Sequence, residues 1–322
     1  VNTDFSHQSA ASGVTRETVA ETAEAASDRL PLKERLAAYF DLTKPRIAAW
    51  LHVAALASFY LASSAGISFG ALFGMLSASL LQTAGVFALN HLLERHQDAL
   101  MRRTATRPLP AGRLSAAEAA VFGIGATVLG TTLFFVLVNP LVGMLAAAVV
   151  ILYLAVYTPL KMWTPYHTAP GAIAGAMPTL IGWAAATGSI EPTAWLLFGV
   201  VFFWQYPHFL SIDLMYREDY ERAGMRVLPV VDRTGRKTAL YIVANTVLMI
   251  GCSIAPTLIG AFGWASFGAA LLMGALFLRS AVRAARERSR PAARALLIQT
   301  VLYLPLLLGF MVLEQLVMRV VF

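Results

Sequence analysis

Nine apolar segments separated by polar connections constrain this chain more than any other feature. They lie at about 46–63, 68–89, 116–137, 141–157, 168–188, 193–212, 239–259, 262–280 and 296–318. Several approach or exceed the ~20 residues that a bilayer-crossing helix needs. Most are apolar all round, the pattern of a helix enclosed by lipid or by other helices. Inside hydrocarbon every backbone amide must be paired within the protein, which makes helices the economical structure. Of 322 residues, 58% are hydrophobic and 13% charged, whereas soluble domains carry about 25% charged residues. The expected fold class is an all-α integral membrane protein with nine transmembrane helices. Small-residue stretches such as GAIAGAMPTLIGWAAATG would let those helices approach closely.

Basic residues sort onto one side of this pattern. The stretch before the first segment and the connections after the second, fourth, sixth and eighth hold every Lys and Arg except Arg319. The positive-inside rule then places the N-terminus and these connections in the cytoplasm and the C-terminus outside. The net charge of +7 therefore reports topology first and gives no call for nucleic acid. Cys252, the single cysteine, has no intrachain disulfide partner, belongs to no metal-ligand cluster and is read as helix packing. Residues 1–28 are rich in Ala, Ser, Thr and Glu and lack an apolar core. They match neither a secretory signal nor a transit peptide. A flexible tail ahead of one intramembrane domain at 29–322 is expected.

Two cytoplasmic connections carry acids as well as bases. The first, NHLLERHQDALMRRTATRPLPAGR, starts with Asn90, Glu94 and Asp98 at four-residue intervals and adds Arg95, Arg102, Arg103, Arg107 and Arg113. On a helix, such spacing turns about 40° and rises about 6 Å per step, giving one oxygen-rich stripe where the second segment meets water. Oxygen ligands suit Mg²⁺, which takes one or two carboxylates plus substrate phosphates. Arginines supply paired donors for phosphate oxygens. The second connection, DLMYREDYERAGMRVLPVVDRTGRK, again mixes Asp213, Glu218, Asp219 and Glu221 with arginines. A shared metal–diphosphate site is one reading. Solvated Glu–Arg neighbours, worth little energy, are the other, and spacing alone leaves both open. The acids favour the site, because topology calls for cations and not for acids.

The residues also carry a resemblance. NHLLERHQDALMRRTATRPLPAG is similar to the first signature, N-x-x-x-[DE]-x-x-x-D, of the UbiA-type intramembrane prenyltransferases. Its continuation resembles the branch that farnesylates protoheme IX to heme O, as do DLTKPRI, YTPLKMWTP, GAMPTLIGWAAATG, WQYPHF and YREDYERAGMRVLPVV. The resemblance covers about residues 41–322. It implies transfer of a farnesyl group from farnesyl diphosphate to a vinyl group of heme b, with Mg²⁺ or a similar divalent ion as cofactor and heme b as substrate. It further implies a bacterial cytoplasmic (inner) membrane enzyme with its site on the cytoplasmic side, and heme A synthase or terminal oxidase assembly as partners.

Carried over by position, the resemblance implies that Asn90, Glu94, Asp98 and Asp219 hold the metal. Glu94 stands where the family often has Asp, and the second motif lacks the fuller D-x-x-x-D form. Lys161, Arg102, Arg103 and Arg107 fall on basic positions of the motifs, and Lys44 and Arg217 join them as expected diphosphate contacts. Asp213 occupies a position where the branch carries small or neutral residues and is given no catalytic role. His208 reads on its own as a packing or interfacial residue; with the resemblance it becomes a heme contact, flanked by Trp204 and Tyr206. His52 is expected to bond between helices, and His96 and His167 stand where they could meet propionates. Trp183, Trp204, Tyr206 and Phe209 are aromatic candidates to face an allylic cation.

Alternatives weighed on the sequence are a family member acting on another aromatic or chlorin acceptor, a transporter, and a non-catalytic assembly factor. The RTxxRPLPxG and WQYPHF…YREDY blocks argue against the first. Acids at the helix mouths argue against the second, because transporter sites lie near mid-membrane.

Overall fold

The computed structural model describes residues 30–64 and 66–321, so the expected tail at 1–28 lies outside the described residues. Among them all regular structure is helical: α1 (Leu32–Leu42), α2 (Pro45–Ala62), α3 (Phe69–Leu100), α4 (Ala116–Leu137), α5 (Pro140–Trp163), α6 (Thr168–Thr187), α7 (Pro192–Met215), α8 (Arg217–Arg222), α9 (Leu228–Val231), α10 (Arg236–Leu258), α11 (Trp264–Glu287) and α12 (Arg290–Val321). Seven of these, α3, α4, α5, α7, α10, α11 and α12, are long and apolar enough to cross a membrane. The first and fifth expected spans correspond to α2 and α6, which fall outside that set. Arg46 and His52 dilute the apolarity of α2, and Gly, Pro and Thr dilute that of α6. For α6 the reason is its surroundings: twelve of its twenty residues are buried, and a helix enclosed by protein needs less apolar surface than one facing lipid.

Two apolar cores share α6. One face of it (Leu180, Trp183) packs with α2, α7, α10, α11 and α12, around Leu197, Ile242, Met249, Phe277 and Leu296. Another face (Ile181, Ala184, Ala185) packs with α2, α3, α4 and α5, around Phe59, Met75 and Phe134. Such close packing needs missing side chains. A Cβ at Gly182 would stand 2.1 Å from the carbonyl oxygen of Ala55, and one at Gly130 would stand 2.4 Å from the amide nitrogen of Gln82. Ser115 starts α4 with a reciprocal cap: its hydroxyl accepts from the Glu118 amide while the Glu118 carboxylate accepts from the Ser115 amide, satisfying two N-terminal donors.

Helix α5 widens to a π-helix at Ile151–Tyr157 before an α-helical turn from Thr158 to Trp163. Pro159 supplies the reason, since its ring clashes with the carbonyl four residues earlier in a regular α-helix and it offers no amide proton. The Thr158 amide reaches back five residues to Tyr153, and its hydroxyl donates to the same carbonyl at 2.8 Å. Wide turns of this kind are frequent at functional sites. This one turns Tyr153 and Tyr157 toward a central cavity.

Candidate active site

The two acid-and-base connections meet at one end of the bundle. Met101, from the end of α3, packs with Ala223, Met225 and Val227, with Met162 and Tyr220 against them. Arg103 donates to the Tyr220 hydroxyl at 3.4 Å and lies 5.2 Å from the Tyr216 ring centre. The Arg226 amide donates to the Lys161 carbonyl at 2.8 Å. Apolar contact thus joins segments more than 100 residues apart.

Beneath this junction lies a cavity of about 240 Å³. Its mouth is lined by Lys44, Asn90, Glu94, Asp98, Arg103, Arg107, Lys161 and Tyr220. Its depth is lined by Leu51, Ala55, Val86, Phe134, Val149 and Ile181, with Gln82 as a polar inclusion. Along α3 the lining runs from Asp98 down to Ser79, about 28 Å at 1.5 Å per residue. The shape suits an anionic head and a long apolar tail.

Helix α3 continues unbroken past its apolar segment, so the stripe of Asn90, Glu94 and Asp98 is real, and all three are buried. Each has a cationic partner. Lys44 donates to Asn90 Oδ1 at 2.6 Å, Lys161 to Glu94 Oε1 at 2.6 Å, and one Arg107 nitrogen to both Asp98 oxygens at 2.8 and 2.7 Å. The Asn90 amide donates onward to Thr158 at 3.1 Å. Isolated charges would be costly at such burial, and pairing offsets that cost.

Lys44 reaches Asn90 from an unusual backbone. Its φ of 47° is left-handed, a conformation that costs a residue with a side chain roughly 1–2 kcal/mol. Pro45 follows and disfavours the ordinary α conformation there. Its ammonium sits 5.1 Å from the Phe87 ring centre. Burial, reinforced by the Arg107 charge, pushes its pKa down to about 7. Such strain persists where the surroundings hold it, and this site is one.

Of the residues expected to act, Asn90, Glu94, Asp98, Lys44, Arg103, Arg107 and Lys161 all line the cavity. Arg102 and Arg217 are exposed and do not. Asp219 lies next to cavity-lining Tyr220, but its carboxylate is held by Arg222 at 2.9 Å, outside the lining. The expected heme contacts are not gathered at this cavity. His208 accepts from or donates to Thr300 at 2.8 Å and stacks on Trp204, with ring centres 4.7 Å apart, on the face toward α12. Tyr206 opens on a separate hollow of about 290 Å³ with Tyr166 and Tyr241. Of the aromatic candidates, Phe209 lines the cavity and Trp183 lies in the core.

His52 bonds within its own helix, to the Ala48 carbonyl at 2.6 Å, rather than between helices. His96 is exposed. His167 is buried with both ring nitrogens unpartnered, and burial lowers its pKa to about 3.

Sequence reasoning missed Tyr153, Tyr157, Tyr220 and Gln205, which line the cavity. Lys161 sits 4.3 Å from the Tyr157 ring centre. The Y-T-P order around Tyr157 and Pro159 was the available signal for the widened helix.

Among the described residues, no group of three His, Cys, Asp or Glu side chains forms a ready-made metal cage. The donor set still fits Mg²⁺, which keeps waters and completes its shell with substrate phosphates. Four cations against two carboxylates line the mouth, a balance that leaves room for an anion.

A family model described as the UbiA prenyltransferase family matches residues 51–307. A relative from Solibacter usitatus (strain Ellin6076), named protoheme IX farnesyltransferase, is 43% identical over 86% of this chain and 98% of its own length. Among solved structures, a digeranylgeranylglyceryl phosphate synthase matches with a TM-score of 0.74 and 17% identity, over 87% of this chain and 98% of that one. A UbiA homolog from Archaeoglobus fulgidus, bound to GPP and Mg²⁺, matches with a TM-score of 0.64 and 17% identity, over 85% and 99% of the two chains. The chain belongs to the UbiA prenyltransferase family, in its protoheme IX farnesyltransferase branch.

Proposed function

We propose that this prenyltransferase moves the farnesyl group of farnesyl diphosphate onto a vinyl group of heme b, giving heme O. The observation that carries the reading is the cavity itself: a cation-rich mouth with two buried carboxylates, opening on an apolar shaft. The names of relatives at 35–43% identity point to the same pair of substrates. α2 and α6 complete nine spans in this reading, with the N-terminus and the mouth on the cytoplasmic face of the bacterial inner membrane.

Asn90, Glu94 and Asp98 would hold a divalent cation, with Asp219, bonded here to Arg222, as the further acid of the second connection. When bound, the ion supplies Lewis-acid neutralisation of the diphosphate. The residues' part is a change of partners. Lys161 and Arg107, paired with Glu94 and Asp98 in this structure, would be free to turn to the phosphate oxygens once those carboxylates held the ion, alongside Lys44 and Arg103 at the mouth. Charge developing on the leaving oxygens is thereby met by fixed donors. The C1–O bond of the farnesyl chain breaks and diphosphate leaves with the bonding pair, the vinyl carbon attacks C1, and water adds to the resulting cation and loses a proton to give the hydroxyl. Tyr153, Tyr157 and Phe87 present aromatic faces that attract the allylic cation, and the buried shaft keeps bulk water away from it.

The test is expression in a host lacking its own heme O synthase, with mass analysis of the extracted hemes. Heme O is expected from wild type and not from Asp98→Asn. Heme b alone from well-expressed wild type would overturn the acceptor assignment, and a different prenylated product would replace it.

A further inference from the structure

The charged groups at the mouth are paired, with one exception on the far wall. Asp213, on α7, is 5% exposed, and its Oδ2 is buried without a hydrogen-bond partner. A buried carboxylate oxygen left bare costs more than most interactions supply, so such an atom calls for an explanation. Solvation does not provide one at this burial.

Asp213 has a definite place. Gln205 and Phe209, four and eight residues before it, both line the cavity. Four-residue steps on a helix keep one face with a drift of about 40° each, so Asp213 comes next along that row at the cytoplasmic end of α7, just behind the residues that line the cavity. That level is the mouth. Its charge is felt by Tyr220, a lining residue whose phenol is pushed up first by burial and then by Asp213. Lys161 and Arg103 also lie within its electrostatic reach. Neither holds it: Lys161 is bonded to Glu94 and Arg103 to Tyr220.

We infer that Asp213 is a further ligand of the divalent cation that accompanies the diphosphate, set across the mouth from Asn90, Glu94 and Asp98. An acid facing a polyanion would repel it unless a cation stood between them. The unpaired oxygen is a donor that a turn of the side chain would bring to such a cation. Oxygen donors and a phosphate-completed shell identify the ion as a hard one of the Mg²⁺ class. Asp219, six residues further on along the chain and tied to Arg222, supplies the outer acid; Asp213 supplies the buried one. The inference rests on the metal–diphosphate reading of the mouth and adds a residue to it.

The test uses the full-length protein in detergent, with Mn²⁺ as probe and inorganic pyrophosphate as the anion. Bound Mn²⁺ is counted by electron paramagnetic resonance, and folding is checked by thermal melting without ligand. Wild type is expected to bind Mn²⁺ in a pyrophosphate-dependent way, and Asp98→Asn to lose it. Asp213→Asn is expected to weaken Mn²⁺ binding by about tenfold or more, comparable to losses at other metal-site positions. Asp213→Glu should recover most of the binding. Asp213→Ser carries the same expectation as Asn and stands in if the Asn variant is not recovered folded. Unchanged Mn²⁺ affinity in a folded Asn or Ser variant, beside a lost Asp98→Asn, overturns the role of Asp213 alone. Absence of pyrophosphate-dependent binding in wild type overturns the mouth reading and this inference together.

Discussion

The two acidic clusters of this chain share a composition and differ in fate. Asn90, Glu94 and Asp98 are buried, line the cavity and hold cations at 2.6–2.8 Å. Glu218 and Glu221, in the second cluster, are exposed, while Asp219 is bonded to Arg222 outside the lining. The difference arises from the helices that carry them. α3 runs on for three turns past its apolar segment and so keeps its stripe against α5 and the loop after α3. α7 stops at Met215, so of the second cluster only Asp213 is buried, and Glu218, Asp219 and Glu221 fall on the short α8. Acid-and-base loops look alike in sequence; burial decides which can grip a charged substrate, because a screened surface pair is worth only about 0–1 kcal/mol.

That contrast can be broken or sharpened by experiment. The largest expected effect is removal of the divalent ion: EDTA should abolish heme O formation by purified protein, and Mg²⁺ should restore it. Retained turnover after metal removal would break the account of the first cluster. Next comes Asp98→Asn, which leaves the half-buried Arg107 beside a neutral amide; kcat/KM for farnesyl diphosphate should fall by about 100-fold or more, roughly 3 kcal/mol. Lys161→Met removes a phosphate donor and strands Glu94, with an expected loss of about 30-fold in steady-state kinetics. Arg103→Ala, at the more open edge of the mouth, should raise KM by about tenfold with a smaller change in kcat. At the bottom of the scale, Glu221→Gln should stay within about twofold of wild type, as a surface change does. A large loss there would mean that the exposed cluster works as the buried one does.

Much of this was legible in the sequence, for identifiable reasons. Apolar length and the sorting of Lys and Arg are strong signals, and the four-residue spacing of Asn90, Glu94 and Asp98 specifies a face as soon as the helix exists. Facing inside the bundle was harder to read. α7 is apolar nearly all round, so no periodicity told that Gln205 and Phe209 share the cavity side while Trp204 and His208 turn to α12. The same absence hid the burial of α6, whose small residues read as a span and serve as the shared wall of two cores. The π-helix of α5 and the left-handed Lys44 depend on Pro159 and Pro45 acting on their neighbours. Proline marks such places without saying which conformation the chain adopts.

The central claim is that Glu94 and Asp98 exchange their cations for a metal ion carrying the prenyl diphosphate. Calorimetric titration of the purified protein with farnesyl diphosphate, with and without Mg²⁺, tests it most directly. The account predicts one bound diphosphate per chain, dependent on Mg²⁺ and lost in Asp98→Asn. Equal affinity without the ion, or in the Asp98→Asn protein, would contradict it.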